Sequence, residues 1–156
     1  MVRKIISGGQ TGVDQGALDF ALLNGIVAGG WCPKGRICED GIIPDKYPLV
    51  EVGIGEYNLR TLWNVRDSDG TLILIRKGFM EKGTELTVDY CKQSGKPFFL
   101  LDTYSLSEKD ETVKNKFTRW LEDHSIVILN VAGNRESTSP GIQSDTIRLL
   151  EFLLNA

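Results

Sequence analysis

The sequence predicts a three-layer α/β domain, doubly wound around a mainly parallel sheet, and three observations carry that expectation. Short apolar runs rich in β-branched residues alternate with longer stretches of helical period. The runs are continuously apolar rather than alternating, as strands covered on both faces are. Glycines stand where helices must end in a left-handed residue.

Taken in order, a first strand is expected over Arg3–Ser7, then a helix over Val13–Asn24 closed by Gly25, and a second strand over Ile26–Gly30. A short helix over Arg60–Ser68 is expected to turn Leu62 and Val65 or Trp63 inward. Strand Thr71–Ile75, helix Thr84–Ser94 closed by Gly95 and strand Pro97–Leu101 follow. Helix Glu108–Asp123, strand Ile126–Val131 and a final helix Pro140–Leu154 complete the order, with Ser139 as N-cap and Pro140 in the first turn. The 156 residues suffice for one domain, 1–156, able to bury about 70% of its unfolded surface. The stretch from Trp31 to Asn58 is too long for a plain connection and reads as a functional loop.

Composition narrows the function classes. Eighteen basic and 21 acidic residues give a net charge of −3, so no long-range field draws in nucleic acid or an anionic membrane. No apolar run approaches the roughly 20 residues that span a bilayer, and the start enters a polar glycine turn before a signal-type stretch can form, so a cytoplasmic location is expected. Cys32, Cys38 and Cys91 fit neither a disulfide framework nor a zinc spacing and read as reduced thiols. Cys91 sits in a helical pattern and belongs to the core; Cys32 and Cys38 are open to either core or ligand contact. His124, at a helix end, suits the helix dipole. No metal site is expected.

In open parallel sheets, ligands bind outside the carboxyl ends of the strands. Three polar turns are expected there. The first, Ser7-Gly8-Gly9-Gln10-Thr11-Gly12, packs three glycines into five residues before a helix, which exposes backbone N–H groups to an anion. Thr11 and Asp14 also form a capping-box spacing that would satisfy the helix without any ligand, but that leaves the glycines unexplained. Asp14 would repel phosphate and is read as a partner for a ligand donor group. The second turn, Lys82-Gly83-Thr84, opens a helix, with Thr84 either its cap or a ligand contact. The third, Asn130 to Ser137, brings Gly133, Asn134, Arg135 and Glu136 past the last strand. Lys34 and Arg36 in the long loop are expected to balance anionic charge, and Trp31 to stack on a ring. Arg60, Arg66, Asp67 and Asp69 read as ordinary surface ion pairs. By this reading Gly9→Val abolishes ligand binding and leaves the fold intact.

The turns fit neither a dinucleotide fingerprint nor a Walker loop. With these residues placed, the chain resembles the molybdenum carrier family, the circularly permuted YpsA-like branch of a Rossmann-like superfamily that includes Lonely Guy and DprA proteins. The likeness is carried by Ser7–Asp14 with Ala17-Leu18-Asp19, and by Gly30–Arg36 with Glu39-Asp40-Gly41. Asn64–Thr71, Gly83-Thr84 and Asn130–Gly133 add to it. The resemblance implies a Rossmann-like domain that binds or carries a phosphorylated ligand, either molybdenum cofactor (molybdopterin) or another nucleotide-like molecule. It also implies a homo-oligomer, with molybdoenzymes or cofactor-synthesis proteins as partners and no established reaction. The rival reading is a nucleotide N-glycosidase of Lonely Guy type, or a nucleotide-sensing module. Thr87 stands where the Lonely Guy catalytic glutamate would be and Phe79-Met80-Glu81-Lys82 replaces the preceding segment, so a glycosidase would draw its carboxylate from Asp14 or Glu136.

Overall fold

A computed structural model describes residues 1–53, 58–104, 106 and 110–155. Its centre is a five-stranded sheet in the order β2-β1-β9-β7-β8, built from β1 (Lys4–Ile6), β2 (Val27–Gly29), β7 (Gly70–Ile75), β8 (Phe98–Asp102) and β9 (Ile128–Gly133). Every neighbouring pair in it is parallel. Among the described residues the helices are α1 (Val13–Leu23), α2 (Leu59–Arg66), α3 (Lys82–Ser94), α4 (Glu111–Asp123) and α5 (Ile142–Leu154). The fold is the α/β Rossmann-like arrangement that the alternating pattern predicts.

Connections leave β1 and β7 toward opposite edges of the sheet, so right-handed crossovers place α1 and α3 on opposite faces. Helix α1 packs on α5, which also meets α4, while α2 packs on α3. The larger core lies under α1, α4 and α5, where Val13, Ala17, Phe20, Phe117, Ile142 and Leu150 cover Ile5, Leu72, Leu74, Leu129 and Val131. Strand β7 is buried along its whole length, the covering on both faces that its unbroken apolarity requires.

Helix ends differ in detail from the expected ones. Gly25 and Gly95 both adopt φ +66, and Ile26 N–H and Lys96 N–H reach back to Ala21 and Cys91 carbonyls at 2.9 Å, closing α1 and α3 as the glycines imply. Asp110 caps α4, accepting Thr112 N–H at 3.0 Å and Val113 N–H at 3.2 Å; the expected start at Glu108 lies outside the described residues. Ser139 does not cap α5. That helix begins at Ile142, after Gly141, and the Glu136 carboxylate takes Gly141 N–H at 2.5 Å and Gln143 N–H at 2.9 Å. His124 is the C-cap residue of α4. In α2, Asn64 and Val65 are the buried residues, with Leu62 and Trp63 only partly covered.

The long stretch after β2 is not a plain loop. It folds into two small ribbons, β3 (Trp31–Cys32) beside β6 (Val50–Glu51), and β4 (Ile37–Cys38) beside β5 (Gly41–Ile42). Residues 54–57 of it lie outside the described set. Leu18, Cys32, Cys38, Ile43 and Tyr47 form a second core beneath it, so both loop cysteines are packing residues.

Close strand contact at the sheet's carboxyl edge depends on absent side chains. A Cβ on Gly133 would stand 2.1 Å from the Leu74 carbonyl oxygen, whereas one on Gly25 would meet nothing. Gly133→Ala is therefore expected to lower unfolding free energy by about 2–3 kcal/mol, from overpacking against backbone that cannot yield. Gly25→Ala is expected to lower it by only about 1–2 kcal/mol, the cost of a left-handed alanine. Urea denaturation of the two variants checks the order.

Candidate functional site

A cavity of about 390 Å³ opens at the carboxyl ends of β1, β9 and β7, the position at which parallel sheets gather loops and helix N-termini. The turn after β1 contributes Gly8, Gln10 and Asp14; β9 and its loop contribute Asn130, Ala132, Gly133, Arg135 and Thr138. The segment leading into α3 brings Phe79, Glu81, Lys82, Gly83, Thr84 and Thr87, and the start of α2 brings Asn58, Arg60, Thr61 and Asn64. The size and the mixed polar lining suit a small-molecule ligand.

The glycine turn after β1 already holds a carboxyl group of its own. Gln10 N–H donates to Asp14 Oδ2 at 3.1 Å, and Arg60 Nη1 stands 3.6 Å from the same oxygen while donating to the Gly8 carbonyl at 3.2 Å. A Cβ on Gly8 would lie 2.1 Å from Arg60 Nη1, so glycine is what lets the guanidinium reach over the turn. Burial pushes the Asp14 pKa above its ordinary 3.8 and outweighs the Arg60 charge and the hydrogen bonds from Gln10, Ser7 and Gly8, which pull it down. The expected capping box does not form. Gly12, at φ +82, is the N-cap of α1, Asp14 reaches Gln10 N–H instead, and Thr11 Oγ1 donates to Glu39.

At α3 the situation is reversed. Glu81 is the N-cap residue, but its carboxylate does not cap the helix; it accepts Arg135 N–H and Nε–H at 3.1 Å and the Thr138 hydroxyl. The first-turn N–H groups at Lys82, Gly83 and Thr84 therefore face the cavity end of the helix without a side-chain cap, at the positive end of its dipole. Thr84 lies inside the helix and is not its cap. A Cβ on Gly83 would meet nothing within 4 Å and Gly83 has no positive φ, so nothing in the fold asks for glycine there.

This constellation on a parallel sheet has relatives. Residues 5–154 match the circularly permutated YpsA SLOG family. The chain belongs to that family. A crystal structure of a protein from Syntrophus aciditrophicus SB, named "Putative molybdenum carrier protein", shares 43% identity and a TM-score of 0.92, over 98% of this chain and 95% of that one. Among curated proteins none matches significantly.

For this SLOG chain, the structure brings Gly8, Gln10, Asp14, Gly83, Thr84, Gly133 and Arg135 together around one cavity. Seven other candidates from the sequence lie outside its lining. Gly9, at φ +80, faces Ile43 and Leu49, which a Cβ would meet at 2.9 and 2.6 Å, so Gly9→Val strains the fold and is no clean test of binding. Gly12 sits against the backbone of Asn134 and Glu136. Asn134 is fully buried and donates to Phe79 O at 2.9 Å, and Glu136 is spent on α5. Arg36 binds the carbonyls of Pro44 and Tyr47 at 2.8 and 3.0 Å and those of Ile43 and Leu49 at 3.4 Å, holding its own lobe together instead of awaiting an anion. Lys34 is exposed in the turn before β4. Thr11 joins a polar knot in which Glu39 also accepts Ser137 N–H at 3.2 Å and Ser137 Oγ–H at 2.7 Å. Trp31 packs edge-on against Trp63, ring centres 4.7 Å apart, with its indole N–H on Asp67 at 2.7 Å.

Arg60, read from sequence as one of several surface charges, instead lines the cavity with its side chain only 11% exposed. Asn64 closes both amide bonds on the Trp31 backbone, at 2.8 and 2.9 Å. The signal for both was the spacing of Arg60, Thr61 and Asn64 beside buried Val65, a polar stripe on one face of α2.

The Glu39 knot ties the lobe after β2 to the cavity rim. Burial works to raise the Glu39 pKa, but hydrogen bonds from Ser137 and Thr11 and the Arg135 charge outweigh it, and the carboxyl sits below its ordinary 4.5. Its ionised form thus favours the folded state, a contribution present above pH 4.5 and lost as pH falls through the folded value. Glu39→Gln is expected to destabilise the protein at pH 7, with the gap from wild type closing as the pH is taken below 4.5; denaturation curves across pH 3 to 7 check it.

Proposed function

We propose that this chain is a binding or carrier protein for a phosphorylated small molecule, with molybdenum cofactor as its cargo. The observation that carries the reading is the uncapped N-terminus of α3 opening into a cavity on three strand ends, with Arg135 on the rim; backbone N–H groups and a helix dipole there favour a phosphate. The name of the relative at 43% identity, a molybdenum carrier, supports the choice of cargo. Among the described residues no group of three or more His, Cys, Asp or Glu side chains is placed to hold a metal ion. Gly83 and Thr84 at the mouth of α3 would hold the phosphate of such a cofactor.

The rival, cleavage of a nucleotide N-glycosidic bond, loses Glu136 to helix capping and keeps Asp14 as its candidate carboxylate on the cavity wall. Release of free base from nucleoside monophosphates at high protein concentration would favour it. Co-expression with cofactor-synthesis enzymes followed by native mass spectrometry tests the carrier reading: the protein is expected to retain a pterin-sized mass, and an unloaded mass under conditions that load a known molybdoenzyme counts against it.

Gly83 supplies a sharper check. A helical glycine costs about 0.5–1 kcal/mol relative to alanine, so with open space around it Gly83→Ala is expected to raise stability by about that amount. A methyl group at the helix mouth is also expected to weaken binding of GMP by about tenfold, since it stands where phosphate approaches. Paired denaturation and calorimetric titration measure both.

A further inference from the structure

The cavity's two sides differ in what they ask of a ligand, and this inference rests on the phosphate-binding reading above. On the β7 side, α3 presents donors. On the β1 side stands Asp14, 6% exposed, beside the carbonyl of Gly8. Strand β9 lies between β1 and β7, so these sides are two strand spacings, roughly 10 Å, apart.

Asp14 Oδ2 takes Gln10 N–H, and Arg60 approaches the same oxygen at 3.6 Å. Both of these contacts fall on one oxygen, Oδ2, of a side chain that lines the cavity. Burial is the largest influence on its pKa and pushes it above the ordinary value, so N–H donors brought by a ligand would favour the ionised form. Such a group on a cavity wall attracts adjacent N–H donors and rejects a second acceptor. Arg60 displays the shape of the complement, since one guanidinium nitrogen reaches both Asp14 and the Gly8 carbonyl. A flat heterocycle with neighbouring ring N–H and amino N–H groups would bring two donors to these two side-by-side acceptors.

We propose that Asp14 is a specificity-determining residue, and that the phosphorylated ligand carries a 2-amino-4-oxopyrimidine edge whose paired N–H groups it accepts. Guanine nucleotides and pterins share that edge. Asp14 on the β1 side reads it while the mouth of α3 holds the phosphate.

Calorimetric titration of the whole chain with GMP, IMP, AMP and dihydroneopterin triphosphate tests this. IMP differs from GMP only in lacking the 2-amino group, and a site built to accept that donor discriminates strongly against its absence. GMP is expected to bind at least tenfold tighter than IMP, and Asp14→Asn to bring that ratio to within twofold of one. Tighter binding of the pterin than of GMP assigns the edge to a pterin, and the reverse to a nucleotide; either carries the proposal. Equal affinities for GMP, IMP and AMP in the wild type overturn it while leaving phosphate binding intact, and that comparison stands even where the variant fails to fold. An Asp14→Asn protein that keeps the full preference also overturns it. If none of the four probes binds at millimolar concentration, the phosphate-binding reading itself fails, and this proposal with it.

Discussion

The cavity depends on one backbone-on-backbone approach, that of the turn after β1 to the loop after β9. A Cβ on Gly12 would lie 2.5 Å from Asn134 O and 2.6 Å from Glu136 N, and Val13 N–H donates to that Asn134 carbonyl at 3.2 Å. With glycine at 12 the two segments touch, the first helix receives an acceptor from a distant loop, and β9 can sit between β1 and β7 with all three carboxyl ends on one rim. Any larger residue would force the loop outward and carry Arg135 with it. The glycine-rich opening of the chain is thus first a device for closeness between chain segments.

Much of the architecture was legible because it is local. Continuous β-branched runs mark strands covered on both faces, and Gly25 and Gly95 announce the helix ends they close. Capping was less legible wherever the cap comes from elsewhere: α5 is held by Glu136, five residues before Gly141, and α1 by the Asn134 carbonyl, more than a hundred residues from it. The cavity's position at the strand ends followed from topology, but the roles of its residues did not. Arg60 and Asp14 lie far apart in sequence, and nothing local distinguishes a guanidinium that folds over a turn from one on the surface. Arg36 shows the converse, a basic residue in a polar loop that reads as an anion partner and serves its own carbonyls.

The glycines of the site fall into two physical kinds. Gly8, Gly12 and Gly133 are demanded by close contacts that can be measured in the folded chain, and their cost in chain entropy is offset by the packing they permit. Gly83 has neither a positive φ nor a neighbour to avoid. Stability alone would place alanine there, so its presence at the mouth of α3 is a departure from the fold's own interest, the kind that concentrates where a protein does its work.

The lobe after β2 owes much of its order to a single guanidinium. Arg36 gathers four carbonyl oxygens of one short stretch, and a guanidinium stays charged throughout the range in which carboxylates and imidazoles change state. Its attachment to the rest of the chain is shared among the Glu39 knot, the two Asn64 bonds to the Trp31 backbone and the core it forms with Leu18. Losing the Glu39 carboxylate therefore loosens one corner of the lobe, while the apolar seam with Leu18 and the Asn64 clasp on Trp31 still pin the ribbons to the sheet.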